Sequence, residues 1–326
     1  MSAGLVRQAV VARGAVLDRV LDARWRASGE GLNRQAYGRF HAAQMKTAWA
    51  SRCQSTSALI AGETMLLASA ERYELAGVFD GRAMRVCGIG SLWTESSPQG
   101  AAHARALVEA LLDEAAGAGV EMGLLFSRTA GGAEWSDFEP ILQTDLTLTV
   151  AQSSRGAPMT TVRGGEERDL PAIVAMGRVR AGAHRLHLDR DVDFLQYVIT
   201  TKRLLAGLGP PIARQLHFFI AEEGINAAAY VIVSVVGHAW TVEECGDRDP
   251  SGARVGALLQ ALIAREPAER RPTIQAWLPP GFQPPQVTIA SATPSAATIG
   301  VRMLNSGAIV PPLAAADALF WRDSFL

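Results

Sequence analysis

The sequence predicts an α+β protein of two consecutive domains, each a mixed, mainly antiparallel sheet flanked by helices. Three observations carry that expectation. The chain has 326 residues, enough for two separate cores. Short apolar runs broken by Asp-Gly and Glu-Gly turns alternate with longer stretches of helical period. The order strand, hairpin, strand, turn, helix, strand occurs twice. The expected division is 1–151, a polar linker QSSRGAP at 152–158, and 159–326.

In chain order, Gly4 to Ala27 reads as one amphipathic helix, with Val10, Val11, Val16, Val20, Leu21 and Trp25 at three- and four-residue steps. Gln35 to Arg52 reads as a second helix carrying Phe40, Met45 and Trp49, with Trp49 expected in the core. Met65–Ala70, Tyr73–Phe79 and Met84–Leu92 are short apolar runs, and Asp80-Gly81 is a hairpin signal between two of them. A helix from Gly100 to Ala116, a Gly117-Ala118-Gly119 stop and strands at Met122–Phe126 and Leu146–Val150 close the first half. The second half offers a strand at Met159–Val162, a helix at Glu166–Gly182, and strands at Leu216–Ala221, Ala227–Val236 and Ala239–Glu244. A helix at Gly252–Arg265 and a strand at Thr273–Leu278 follow. Phe320, Trp321 and Phe325 suggest a tail that docks on a domain.

Composition narrows the function. A formal net charge of −1 argues against a large nucleic-acid footprint, which draws on a basic excess. No run of about 18 apolar residues predicts a membrane span, and the early residues lack a leader pattern, so the cytoplasm is the expected compartment. Cys53, Cys87 and Cys245 form neither a disulfide framework nor a metal-ligand spacing, and Cys87 sits in an apolar run as a small buried hydrophobe. His184 and His187, followed by Asp189 and Asp191, lack a third firm ligand, so no metal is expected.

The most informative stretch is Arg85 to Ser127: an apolar strand, a polar turn, an Ala-rich helix, a Gly break and a second apolar strand. Such a unit leaves backbone N–H groups free at the helix start, where the dipole also favours negative charge. The turn from Thr94 to Ala104 is therefore the expected anion site.

This stretch resembles the GNAT superfamily of acyl-CoA-dependent N-acyltransferases. The segment LASAERYEL, the hairpin VFDGRAMRV and the strand CGIGSLWT support the resemblance. It implies a turn of pattern Gln/Arg-x-x-Gly-x-Gly/Ala that binds the CoA pyrophosphate. Here that turn is Gln99-Gly100-Ala101-Ala102-His103-Ala104, with Ala102 in place of a glycine. The two halves are similar to tandem GNAT proteins, with the second turn, Asp249 to Gly256, lacking the leading Gln or Arg. The first half is thus the expected cofactor domain, and the second a degenerate copy.

The resemblance implies acetyl-CoA or another acyl-CoA as co-substrate and a small-molecule amine, such as an amino acid or a biosynthetic intermediate, as acceptor. It also implies that Leu92, Trp93 and Thr94 border the pantetheine arm. Glu71 is the candidate general base, or else an exposed carboxylate paired with Arg72 or another Arg. His103 contacts a phosphate or is an exposed side chain at the helix start. The family's tyrosine acid is missing: Ser127 to Ile141 reads SRTAGGAEWSDFEPI, with Trp135 and Phe138 near the expected place. Either water, Ser127 or another group then protonates the leaving thiolate, or the standard acetyl transfer is lost. The alternatives are a degenerate protein that binds acyl-CoA or a partner without turnover, and a member using a carrier-protein or aminoacyl-tRNA donor.

Overall fold

The computed structural model describes residues 6–63, 65–127, 135–151, 161–210, 213–267, 271–279, 281–304 and 310–321. The expected linker at 152–158 and Phe325 lie outside the described residues.

The chain forms two compact units. One is built on Met1–Leu142 with Ala296–Ala314, the other on Gln143–Ser295 with Ala315–Ser324. The chain therefore divides at 142/143 rather than at 151, and a late segment returns to the first unit. The reason is strand pairing: β13 (Val287–Met303) places Thr298–Met303 antiparallel to β5 (Met122–Ser127).

In the first unit, β1 (Arg7–Val11), β2 (Gln54–Ala61), β3 (Met65–Phe79) and β4 (Arg82–Thr94) pair antiparallel in that order, and β5 then pairs parallel to β4. The expected first helix is shorter than read. Arg7–Val11 is a strand on β2, and α1 (Gly14–Ser28) starts only at Gly14, whose φ of +52° turns the chain from strand to helix. The second expected helix ends early as α2 (Arg34–Gln44), and a single turn, α3 (Ala50–Cys53), follows. Asp80 and Gly81 both take positive φ, as a type I′ hairpin requires. α4 (Gly100–Gly117) packs Leu107, Val108, Leu111 and Leu112 on one face of the sheet, against Leu59, Ala68, Ala70, Cys87 and Ile89. α1 covers the other face through Val20, against Ala58 and Ile60. Trp49 is buried and stacks on Tyr73 at 6.2 Å.

The second unit repeats this plan. β7 (Thr161–Gly164), β9 (Arg214–Glu223), β10 (Asn226–Val236) and β11 (Ala239–Asp247) pair antiparallel, and β12 (Thr273–Ala276) pairs parallel to β11 and antiparallel to β6 (Glu139–Val150). α5 (Leu170–Ala181) and α6 (Val192–Leu208) cover one face. α7 (Ala253–Ile263) covers the other, packing Val255, Leu258, Leu259 and Leu262 on Val231, Val233 and Val242. The short strands β8 (Leu186–Leu188) and β14 (Ala318–Leu319) pair with each other. Trp321 docks in the core of this unit, as the tail was expected to do.

Candidate functional site

The Arg85–Ser127 unit folds as β4-turn-α4-β5, and three local departures from regular geometry open it. First, Ser91 and Leu92 on β4 together oppose the single residue Ala70 on β3, and Ser91 takes φ +47°. This is a β-bulge, which bends the strand and re-aims its backbone groups. Second, β4 and β5 pair only from Val86–Ile89 to Met122–Leu125. Beyond Ile89 the ladder stops, although β4 runs on to Thr94 and β5 to Ser127. The backbone of Gly90–Thr94 on that edge is left without β5 as its partner. Third, α4 begins without a cap. The N-cap Gln99 makes no side-chain bond, and the first turn holds no acidic residue. The Gly100 and His103 amides reach the carbonyls of Ser97 and Gln99, at 3.0 Å each. The amides of Ala101 and Ala102 make no bond to the turn, and both side chains are exposed. These amides and the dipole behind them suit an anion.

Gly100 is the residue the turn cannot exchange. A Cβ there would stand 2.9 Å from the Glu95 carbonyl oxygen and 3.1 Å from Thr94 Oγ1. Ala102, where the family pattern has glycine, lies inside the helix and does not take positive φ. Its methyl is unstrained and its amide remains.

The other expected site residues divide by face. Leu92 is half-buried against the α4-side core, and Ala104 is buried within it. Trp93 and Thr94 are half-buried at the end of β4. His103, considered as an exposed side chain, is 2% exposed instead, because its position on α4 turns it toward the sheet. Its Nδ1 stands 3.2 Å from Glu95 Oε1. Ser127, at the end of β5, is half-buried and pairs with Thr298 of β13. Trp135 and Phe138 stand edge to face at 6.0 Å in the α4-side core. Arg105 of α4 lies over Trp135 and Arg302 of β13 over Phe138, at 5.8 Å each.

Glu71 faces away from α4. It pairs across the ladder with Gly90, directly before the bulge, and points toward α1. The alternative of an exposed carboxylate paired with Arg72 is corrected by the geometry. Glu71 is 4% exposed, and Arg72 bonds Glu114 at 2.7 Å on the other face, as strand alternation dictates. The partners of Glu71 are Arg24 in a buried ion pair, Thr56 Oγ1 at 3.0 and 3.1 Å, and Gln54 Nε2 at 3.2 Å. Arg24 also donates to Ser69 at 3.1 Å. His41 on α2 lies in the field of this pair, and burial holds its imidazole below the ordinary value. Arg24 sits 47 positions from Glu71, and sequence reading missed it: no spacing rule links residues that far apart. Burial pushes the Cys87 thiol up to about 11, which keeps it an inert hydrophobe.

The second unit closes the equivalent turn. β11 leaves β12 after Val242, and Glu243 bulges between the Glu244–Ile232 and Val242–Val233 pairs. Here, however, the Asp247 side chain, 0% exposed, occupies the start of α7. It accepts from the amides of Asp249 and Arg254 at 2.9 Å each, and from Arg254 Nη1 at 3.0 Å. A carboxylate of the chain thus takes up one amide of the first turn of α7, that of Arg254, and one of the turn before it, that of Asp249, where α4 has no such side chain.

Each unit centres on a strand-turn-helix-strand element with a bulged first strand and a parallel neighbour that parts from it, and this defines the class as the GNAT fold. Solved structures bear this out. A GCN5-related N-acetyltransferase from Kribbella flavida superposes with TM-score 0.67 and 16% identity, over 94% of this chain and 73% of that one. A probable N-acyltransferase from Enterococcus faecalis V583 gives 0.64 and 11%, over 92% and 72%. The Saccharomyces cerevisiae N-myristoyltransferase with bound myristoyl-CoA gives 0.57 and 8%, over 96% and 86%. At these identities the likeness is one of fold. No protein-family model and no curated protein matches the chain. Among the described residues, no group of three or more His, Cys, Asp or Glu is placed to hold a metal, and no helix is long and apolar enough to cross a membrane.

Proposed function

We propose that this protein is an acyl-CoA-dependent N-acyltransferase, which moves an acetyl or other acyl group to the amine of a small molecule. The observation that carries the reading is the contrast between two helix starts of the same fold. That of α4 is open, beside a bulged and unpaired strand edge, and that of α7 is filled by Asp247. In this reading the amides of Ala101 and Ala102, with Gln99 beside them, hold the diphosphate. The edge of Gly90–Thr94 takes the pantetheine arm, and an amide at the bulge polarises the thioester carbonyl. The amine approaches on the face of Glu71. Once the ammonium has given up its first proton, attack by the freed lone pair forms the C–N bond, the C–S bond breaks, and the second proton of the attacking nitrogen passes to the leaving CoA thiolate through water or Ser127. Glu71 takes the ammonium proton, with Arg24 and Thr56 fixing its carboxylate. The fold of the myristoyl-CoA-bound neighbour is consistent with this use.

A second reading, binding of acyl-CoA without turnover, is favoured by one observation: Ser127 to Ile141 holds no tyrosine, and its aromatics Trp135 and Phe138 are buried. Thiol release from acetyl-CoA, followed across a panel of small amines and amino acids, separates the two. Amine-dependent release supports transfer. Tight binding of CoA with no release for any amine supports the second reading.

A further inference from the structure

The open cradle carries an electrostatic anomaly. Between Arg85 and Arg105 the sequence has neither lysine nor arginine, so no permanent cation sits in the turn that faces the diphosphate. Arg105 itself is tied to Glu109 at 2.8 Å and to Asp137 at 2.6 Å. The turn does carry a carboxylate, Glu95. Its backbone is fixed at the cradle: the Glu95 amide donates to Leu67, and its carbonyl oxygen packs where a Gly100 Cβ would be. A lone anion there opposes a second one.

The titratable cation in this turn is His103. Its side chain is 3% exposed. Nδ1 stands 3.2 Å from Glu95 Oε1 without the alignment of a hydrogen bond, and Nε2 has no polar partner. An imidazole left in this state is unsatisfied, and buried unsatisfied groups call for an explanation. Among the described residues, the groups that face it from the packed elements do not supply one. β2, β3 and β4 present Leu59, Ala61, Leu67, Ala68 and Leu92 to this end of α4. On β1, Arg7 shares the face of Ala9 at the exposed start of the strand. Arg72 with Glu114, Glu74 and the Cys87 thiol lie toward the other end of the helix.

We propose that His103 and Glu95 form a proton-coupled latch in the cofactor turn, so that the protein takes up a proton on His103 when it captures the diphosphate of acyl-CoA. Resting on the acyl-CoA reading above, the latch explains how a turn whose own sequence holds no Lys or Arg accepts a dianion beside its own carboxylate. Protonated His103 neutralises Glu95 and closes the 3.2 Å contact into a charged hydrogen bond. The arriving anion stabilises the imidazolium. Capture of the anion is then coupled to proton uptake, and affinity falls as pH rises through the coupled window.

The test is calorimetric titration of the full chain with dephospho-CoA, whose diphosphate does not titrate near neutrality, between about pH 6 and about pH 8. Two buffers of different ionisation heat report the proton. The latch predicts proton uptake on binding, and affinity falling by up to about tenfold per pH unit in the coupled window. His103→Gln flattens the profile at the weak, high-pH level. Glu95→Gln strengthens binding at high pH and shrinks the slope, and it carries the test if the histidine variant does not fold. Binding with a flat profile and no uptake, or a slope that survives in His103→Gln, overturns the latch and leaves the cofactor reading standing. No binding at any pH overturns both.

Discussion

Placing a carboxylate on the exposed first turn of α4 has opposite effects on folding and on binding, and Ala102→Asp is the substitution to make. Ala102 is exposed, unstrained and third in the helix, so aspartate fits without displacing packed atoms. An acid in the first turn complements the dipole and gains about 0.3–1 kcal/mol of stability. The same carboxylate competes for the amides that hold the diphosphate, as Asp247 does at α7. Two unit charges about 5 Å apart repel by about 3 kcal/mol at an effective dielectric constant of about 20, and by less where water screens them. Taking about 1–3 kcal/mol, the variant binds CoA roughly fivefold to about 150-fold more weakly. Ala102→Asn has nearly the same size and no charge, and should lose far less. Urea unfolding and CoA calorimetry on the three proteins read both effects. Undiminished binding in Ala102→Asp, with stability unchanged or raised, would refute the assignment of these amides to the diphosphate.

Three further outcomes follow from the geometry. Glu71→Gln keeps the shape but discharges a buried ion pair, so we expect slower turnover, intact CoA affinity and a stability loss of about 1–3 kcal/mol; a wild-type rate would remove Glu71 as the base. Asp247→Ala strips two amides and Arg254 of their acceptor and should destabilise the protein by about 1–3 kcal/mol in urea, leaving CoA affinity unchanged if the cofactor belongs to α4. Burial holds His41, His187 and His217 below the ordinary imidazole value. Unfolding then takes up protons near neutrality, so stability is fully present above about pH 6.5 and falls on acidification by up to about 1.4 kcal/mol per pH unit for each proton. A urea midpoint that holds or rises between about pH 7 and pH 6 would contradict this.

The central unit was legible because its signals are local. Asp80-Gly81, the apolar run before Thr94, the Ala-rich stretch and the Gly117-Ala118-Gly119 stop each encode their own geometry. Elements that depend on distant partners were not. β13 carries Pro294 and a run of Ala, Ser and Thr, with no alternation that marks a strand, and its Thr298–Met303 part is defined by the edge of β5. Arg7–Val11 suits helix or strand equally, and pairing with β2 decides it. α6 escaped notice behind the His184–Asp191 cluster, although Asp191 caps it through the Phe194 amide. At the site, the turn residues were found from sequence. The bulge at Ser91, the Arg24 partner of Glu71 and the closure by Asp247 arise from three-dimensional pairing and have no sequence signature.

The most direct measurement is calorimetric titration of the full chain with CoA and acetyl-CoA. An open cradle at α4 and a filled one at α7 predict micromolar binding at one equivalent per chain. Absence of binding, or two equivalents of comparable affinity, would contradict that account.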